Sequence, residues 1–284
     1  MFYIIDKPLG ISSFDVIRKL RKSLNIRKIG HAGTLDPLAT GLLIIATQKS
    51  TKLLSLLDTA RKEYIFTVRF DGKTDSLDMD TPLSPVDNSG FLSRTKKEIE
   101  HYILSQKLQI PPLYSALHIE GRRAYDRARS WEIFEIKERE ICVSEVEVLD
   151  QDEMILTIRM ILSSWGYVRS FAPLLWRYHG IDGGYISSLH RTKIYTSYGV
   201  LDIEDASDLD VLSSLSYSQL FHTIPTYEID DSMLADIRLG KTIDIWQGCL
   251  YEEDSFVFLF HIQSAYTSLC KYQNGIYTIV RNDV

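Results

Sequence analysis

The chain has 284 residues, of which 45% are hydrophobic and 25% charged, and its formal net charge is −6 at pH 7. This composition is typical of a globular protein and excludes a disordered or fibrous one. The length suits one large domain, or a medium domain with a small appendage. No apolar run reaches the roughly 18 residues that span a bilayer.

Cysteine usage and the N-terminal sequence bear on the compartment. Cys142, Cys249 and Cys270 form no C-x-x-C pair, which indicates neither a zinc site nor a disulfide framework. The first residues lack the basic and apolar regions of a signal peptide. We therefore expect a cytoplasmic protein with no membrane attachment.

The first part of the chain alternates between predicted strands and helices. Ser12 and Asp15 have the spacing of a capping box, so a helix is expected to follow Ser12. Period-two and helical patterns predict the other elements. In chain order the predicted elements are a strand over 2–6, a helix to about 25, a buried strand over 42–47, a helix over 49–58, a strand over 62–70, a loop over 71–90 and a helix over 93–106.

The second part continues as a mixture of strands and helices. Residues 140–149 and 154–162 both alternate and can pair as a hairpin, and residues 185–195 form another predicted strand. Residues 167–179 read as a helix in which Pro173 is tolerated only near the first turn or at a kink. Because no regular βαβ repeat is present, the pattern predicts a mixed α/β fold, not a doubly wound sheet.

The C-terminal part differs in composition from the rest. A shift occurs near residues 224–226, and from Glu228 onward nine acidic residues stand against four basic ones. Short β-like runs follow, such as those over 256–260 and 275–280. We predict a boundary at residue 226, with a small β-rich unit over 227–284 that is near the lower size for independent folding.

Charge is distributed unevenly along the chain. Residues 1–62 carry eleven Lys and Arg against four Asp and Glu, a net charge of +7, which leaves −13 on the remainder. The basic set surrounds the segment over 30–41. A solvated helix face would explain part of it, but this concentration favours a surface that binds a phosphate backbone.

Residues 30–41, with the sequence G-H-A-G-T-L-D-P-L-A-T-G, are the most informative segment. Three glycines permit a close approach to the backbone, and Pro37 biases Asp36 away from helical conformation. An aspartate presented in this way can act as a nucleophile, as a general base or as a helix cap.

This segment matches every fixed position of G-H-x-G-T-L-D-P-x-A-T-G and so resembles the catalytic loop of the TruB family of tRNA pseudouridine synthases. The resemblance implies that Asp36 is the catalytic aspartate. It also implies that His31 inserts where the target base was, which stabilises the flipped uridine.

Further segments resemble motifs of the same family. The motif K-P-x-G-x-x-S begins at Lys7, which is expected to help to hold the loop and bind substrate, and Tyr64 matches the active-site tyrosine. In the match to Y-I-R, Tyr167 lines the base pocket and Arg169 pairs with Asp36. Leu189 corresponds to the apolar platform for the base.

Residues 111–129 resemble P-P-x-Y-S-A-x-K followed by G-x-x-x-Y-x-x-A-R, the start of an inserted thumb over about 112–140. Arg129 is one of four arginines there that are expected to contact phosphates. The chain departs from the family at His118, at Trp165-Gly166 in place of Gly-Thr, and at His190.

The resemblance implies a pseudouridine-synthase catalytic domain over 1–226, built on a central and mostly antiparallel sheet, and a divergent PUA-like domain over 227–284. It implies isomerisation of uridine 55 in the T-arm of tRNA, with no metal, no cofactor, no obligate protein partner and a monomeric state. Two alternatives stay open. One is a tRNA-folding chaperone that does not need Asp36, and the other is the guide-dependent subunit of a ribonucleoprotein.

Overall fold

The computed structural model describes residues 1–57, 59–88, 94–115, 117–119, 121–130, 132, 134–239, 241, 255–264, 266–273 and 276–282. Within these residues the strands are, in chain order, β1 (Phe2–Lys7), β2 (Ile29–Ala32), β3 (Ala39–Thr47), β4 (Arg61–Arg69), β5 (Gly72–Lys73), β6 (Ser84–Pro85), β7 (Leu108–Gln109), β8 (His118–Ile119), β9 (Arg122–Arg123), β10 (Arg139–Glu140), β11 (Val143–Asp152), β12 (Ile155–Ser163), β13 (Tyr185–Thr196), β14 (Gly199–Asp202), β15 (Ser214–Leu215), β16 (Thr226–Glu228), β17 (Phe256–His261), β18 (Tyr266–Gln273) and β19 (Ile276–Asn282).

Helices of two kinds accompany these strands. The α-helices are α1 (Ser13–Ser23), α2 (Lys96–Ser105), α3 (Ala124–Arg129), α4 (Phe171–His179), α5 (Tyr217–Leu220) and α6 (Asp231–Arg238). Short 3-10 helices cover Gln48–Leu56, Val168–Ser170 and Ile203–Asp205. No helix in the described part of the chain is both long and apolar enough to cross a membrane.

One large sheet organises the described residues. Its strand order is β11-β12-β4-β13-β3-β1-β15, with β14 on β13 and β2 on β3. The pairs are antiparallel except for β13 and β3, which run parallel over Leu189 to Arg191. This arrangement confirms the predicted mixed α/β fold with a central, mostly antiparallel sheet. The predicted hairpin is also confirmed, because β11 and β12 pair along nearly their full length.

The two faces of the sheet bury different cores. Alternate residues of β1 show the division, since Tyr3 and Ile5 pack with α1 while Phe2 and Ile4 pack on the opposite face. At the other side of the sheet, β4 and β12 bury Phe66, Val68 and their neighbours against α2 and α4. The two-residue period of a strand therefore places alternate side chains in different cores.

Local signals set the ends of several helices. The hydroxyl of Ser12 accepts from the backbone N–H of Asp15 while the Asp15 carboxylate accepts from the backbone N–H of Ser12, so the predicted capping box is confirmed. Pro173 is the third residue of α4, where no intrahelical hydrogen bond needs its missing N–H.

The segment predicted as a helix over 49–58 is a 3-10 helix over Gln48–Leu56, and residue 58 lies outside the described residues. Gln48 enters it with a φ of 51°. The hydroxyls of Thr51 and Ser55 donate to carbonyls three residues earlier in the chain. Short polar side chains that bond locally disfavour a longer α-helix, which explains the tighter turn.

The C-terminal residues form a second sheet with the order β16-β17-β18-β19. Its inner residues pack on α6. On the other side Phe258 joins the core of the large sheet, where its ring centre lies 6.0 Å from that of Phe221. The β-rich character of this part is confirmed, whereas the boundary at residue 226 and the limits of the thumb stay predictions.

Two glycines with a positive φ provide a matched test of backbone strain. Gly41 has a φ of 99°, and a Cβ there would collide with the backbone of Arg191. Gly10 has a φ of 82°, yet a Cβ there meets nothing within 4 Å. We expect Gly10→Ala to lower the free energy of unfolding by about 1–2 kcal/mol through backbone strain alone. Gly41→Ala should cost about 3 kcal/mol or more because a collision is added. Urea denaturation measures both, and equal losses would contradict the close approach at Gly41.

Candidate active site

The loop that carries Asp36 connects β2 to β3 and is fixed from the side of α1. The hydroxyl of Ser13 donates to the Leu35 carbonyl at 3.0 Å and accepts from the Leu35 N–H at 2.8 Å. The Gly10 N–H donates to the Pro37 carbonyl at 2.9 Å. The backbone groups of Leu35 and Pro37, on either side of Asp36, are therefore hydrogen-bonded, and the carboxylate of Asp36 faces the cleft.

Arg169 lies beneath this carboxylate, with only 4% of its side chain exposed. Its Nε is 2.9 Å from Oδ2 of Asp36 and 3.4 Å from Oδ2 of Asp78. Its Nη1 donates to the Ser76 carbonyl at 2.9 Å, and its Nη2 donates to the Tyr114 carbonyl at 2.8 Å. One guanidinium thus joins two carboxylates and two main-chain segments that are distant in sequence.

The two carboxylates differ in their access to solvent. The side chain of Asp36 is 37% exposed, whereas that of Asp78 is 1% exposed. The Nε–H of Arg169 is aligned for a hydrogen bond to neither of them, so the attraction is that of an ion pair. Since an uncompensated buried charge is costly, Arg169 offsets the burial of Asp78 and also fixes Asp36.

Arg191 holds the two ends of the same loop together. Its side chain is almost completely buried. Its Nε donates to the Leu42 carbonyl at 2.7 Å, and its Nη2 donates to the Gly33 carbonyl at 2.6 Å. The absence of a side chain at Gly41 lets the backbone of β13 approach closely at this point.

Lys7 supports the loop from the protein interior. Its side chain has no exposed surface, and its Nζ donates to the Ile11 carbonyl at 2.6 Å and to the Pro8 carbonyl at 2.9 Å. Burial lowers the pKa of Lys7 from 10.5 to about 8, against an opposing attraction to Asp36. The sequence predicts that Lys7 binds substrate, but a side chain without exposed surface positions the loop instead.

An open cleft of about 510 Å³ lies above Asp36. Tyr64, Tyr167 and Leu189 contribute to its lining, and its volume is in the range of small-molecule sites. The cleft therefore brings together four of the residues that the sequence predicts, with Arg169 beneath them. Among the described residues, no group of three or more His, Cys, Asp or Glu is placed to hold a metal ion.

A buried glutamine fixes the backbone of Tyr167. The Oε1 of Gln109 accepts from the Tyr167 N–H at 2.7 Å, and its Nε2 donates to the Tyr167 carbonyl at 2.8 Å. Gln109 is in β7, directly before the predicted thumb, and β7 pairs with β10 at the end of the thumb. The base of the thumb is thus connected to the cleft wall.

Two further predicted residues lie away from the cleft lining. His31 is in β2, just before the loop, where its Nε2 is 3.0 Å from the Thr34 hydroxyl, and burial together with Arg191 lowers its pKa. The imidazole is therefore neutral at pH 7. Arg129 is exposed on α3, with its guanidinium carbon 4.5 Å from the ring centre of Tyr125.

Sequence reasoning missed Asp78 and Gln109, and it gave Arg191 and Lys62 no specific place in the site, although Lys62 belongs to the basic set over 1–62. Period two would have found two of them, because Lys62 precedes Tyr64 by two residues in β4 and Arg191 follows Leu189 by two in β13. The other two are identified only by contacts between segments that are far apart in the chain.

The fold of the chain occurs in solved structures. An H/ACA RNP bound to a substrate RNA containing 2′-deoxyuridine matches with a TM-score of 0.60 and 20% identity, covering 100% of this chain and 84% of that one. An archaeal box H/ACA sRNP complex matches with a TM-score of 0.63 and 17% identity, covering 100% and 85%. At these identities the likeness concerns the fold alone.

Sequence comparisons define the family. Residues 21–168 match the model of the TruB family pseudouridylate synthase N-terminal domain. A protein of Aquifex aeolicus called tRNA pseudouridine synthase B is 35% identical over an alignment of 270 residues that covers 89% of this chain and 92% of the relative. Its counterpart in Francisella philomiragia is 34% identical, covering 91% and 84%. The chain therefore belongs to the TruB family of pseudouridylate synthases.

The buried ammonium of Lys7 makes stability depend on alkaline pH. Between about pH 8 and 10.5, the unfolded chain keeps the Lys7 proton that the folded protein has lost. Because the unfolded state then binds more protons, the free energy of unfolding rises with pH in this window, by up to about 3 kcal/mol. We expect Lys7→Met to remove the contribution of Lys7, so that stability rises less with pH than in the exposed control Lys19→Met, as measured by urea denaturation across the window. Identical pH dependence in the two variants would contradict the assignment.

Proposed function

We propose that this chain isomerises uridine 55 in the T-arm of tRNA to pseudouridine and that Asp36 carries the chemistry. The observation that carries this proposal is a half-exposed carboxylate at the base of a cleft, 2.9 Å from a buried guanidinium. Such a pair fixes the carboxylate in one geometry, as a nucleophile or general base requires. The relatives called tRNA pseudouridine synthase B support the choice of tRNA.

The reaction is an isomerisation that leaves the atoms of the nucleotide unchanged in number. The bond between N1 of uracil and the ribose breaks, the base rotates, and a bond forms from C5 to the ribose. The proton on C5 is lost and N1 gains one, so no oxidant, metal or organic cofactor is required. Asp36 is proposed either to attack the ribose or base, or to remove a proton.

The cleft residues fit the handling of a flipped uridine. Tyr64 and Tyr167 offer aromatic surface, and Leu189, which is 7% exposed, provides an apolar platform. The neutral imidazole of His31 suits the space that the extruded base leaves in the RNA stack, where it offsets part of the few kcal/mol of unstacking. Exposed Arg129 is proposed to contact a phosphate.

The proposed enzyme works as a monomer in the cytoplasm, without an obligate protein partner or a guide RNA. Free thiols such as Cys142 and Cys270 stay reduced there. Turnover of a tRNA transcript by the purified chain, with no added RNA or protein, would distinguish this function from that of a guide-dependent subunit.

We expect Asp36→Asn to lower single-turnover pseudouridine formation by at least about a thousandfold with tRNA binding retained, because only the reacting charge is lost. The matched control is Asp75→Asn, which alters an exposed carboxylate in the loop that also contains Asp78. Primer extension after carbodiimide treatment of an unmodified transcript locates the product. A stop at uridine 55 with wild type and the control, but not with Asp36→Asn, supports the proposal. Tight binding without a stop for any of the three would favour an RNA chaperone.

A further inference from the structure

One end of the cleft is formed by residues that have no part in the reaction proposed above. We call this end the outer subsite and define it by Thr59, Lys62, Arg139, Ser164 and Trp165. It combines two cations, two hydroxyls and an indole. This is the chemistry that binds single-stranded nucleic acid, in which bases stack on aromatic rings and cations follow the phosphates.

Trp165 is the most exposed of the large hydrophobic residues in the described part of the chain, with 75% relative exposure. The turn that presents it is nevertheless fixed, because the Ser164 N–H donates to the Ala60 carbonyl at 3.1 Å and the Gly166 N–H donates to the Ser163 carbonyl at 2.9 Å. A Cβ at Gly166 would collide with Leu162, so the turn packs closely on the sheet. A rigid backbone therefore holds an indole at the mouth of the cleft, where it contributes little to the core.

Lys62 is the second independent observation. Its side chain is 6% exposed and lines the cleft, yet it makes no ion pair with any residue that the structure describes. Buried lysines are almost always paired. Burial, reinforced by Arg191, lowers the pKa of Lys62 to about 8, so most of the ammonium groups are still charged at pH 7. An unpaired buried cation that faces a cleft indicates an anionic ligand.

We propose that the outer subsite binds the nucleotide next to the target uridine, whose base stacks on Trp165 and whose phosphate is bound by Lys62. This inference rests on the proposed function, since it assumes that Asp36 marks the position of the target. The cleft of about 510 Å³ is larger than a single uracil ring, and the outer subsite occupies part of the remaining space. Trp165 and Lys62 thereby help to select an unpaired loop over a continuous helix.

The test is a thermodynamic cycle on tRNA binding. Wild type, Trp165→Ala and Trp165→Phe are titrated with an intact transcript and with transcripts that lack the base on the 5′ or the 3′ side of the target uridine. We expect Trp165→Ala to weaken binding of the intact transcript by about tenfold and Trp165→Phe to retain most of the affinity. Removal of the base that stacks on Trp165 should weaken wild-type binding by a similar factor. Trp165→Ala should bind that abasic transcript no more weakly than wild type does, because the stacking contact is already lost.

A matched control shows that the loss is specific to the outer subsite. Val211 is 73% exposed and is not part of the cleft lining, so Val211→Ala should bind all transcripts as wild type does. Binding by Trp165→Ala within twofold of wild type would overturn the proposal. The proposal would also be overturned if, for both abasic transcripts, the loss caused by Trp165→Ala multiplied the loss caused by the missing base, since the ring would then touch neither neighbouring base.

Lys62 is tested through the salt dependence of binding. Lys62→Met keeps the buried aliphatic length and removes the charge, so the slope of log K against log salt should become shallower by about 0.7. Lys62→Arg should keep the wild-type slope, and an unchanged slope in Lys62→Met would overturn the phosphate contact. These measurements do not need turnover. If wild type binds tRNA but forms no pseudouridine, the proposed function fails while the cycle still decides the outer subsite.

Discussion

The buried guanidinium of Arg169 is the constraint on which the site depends. It connects the Asp36 loop, the loop after β5 through Ser76 and Asp78, and the start of the predicted thumb at Tyr114. Because Arg169 is 4% exposed, each of these contacts is made in a medium where electrostatic interactions are stronger than in water. A single side chain thus connects three segments that are far apart in the chain.

A second principle is that buried cations hold the Asp36 loop through its carbonyl oxygens. Arg191 binds the carbonyls of Gly33 and Leu42, and Lys7 contacts that of Pro37 at 3.5 Å. The positive charge of Lys7 also lies near the carboxylate of Asp36 and attracts it. The loop is therefore held rigid, and the positive field on its inner side favours a negative charge at its tip.

Local rules predicted much of this arrangement. The capping box of α1, the β11–β12 hairpin and the position of Pro173 in α4 follow from patterns a few residues long. The Asp36 loop was recognisable because its glycines and Pro37 constrain the backbone locally. The 3-10 form of Gln48–Leu56 was not predicted. The hydroxyls of Thr51 and Ser55 favour it over an α-helix through local hydrogen bonds whose free energy is small.

Contacts between distant segments were beyond such rules. The partnership of Asp78 with Arg169 and of Gln109 with Tyr167 spans 91 and 58 residues of chain, and neither carries a local pattern. For Lys7 a local motif did exist and indicated a role near the loop. The motif did not indicate that the side chain of Lys7 would be wholly buried. Burial of a polar group depends on the full packing, which no short stretch of sequence determines.

The central claim is that Arg169 has two separable effects. Its positive charge offsets the buried negative charge of Asp78, which stabilises the fold, and it holds Asp36 in the position that the proposed reaction needs. The most direct test compares Arg169→Met with the double variant that also carries Asp78→Asn, in unfolding free energy and in the single-turnover rate on a tRNA transcript. The account predicts that the single variant loses about 3–5 kcal/mol, and that the double variant regains stability but not rate. Recovery of the rate with stability in the double variant would contradict it.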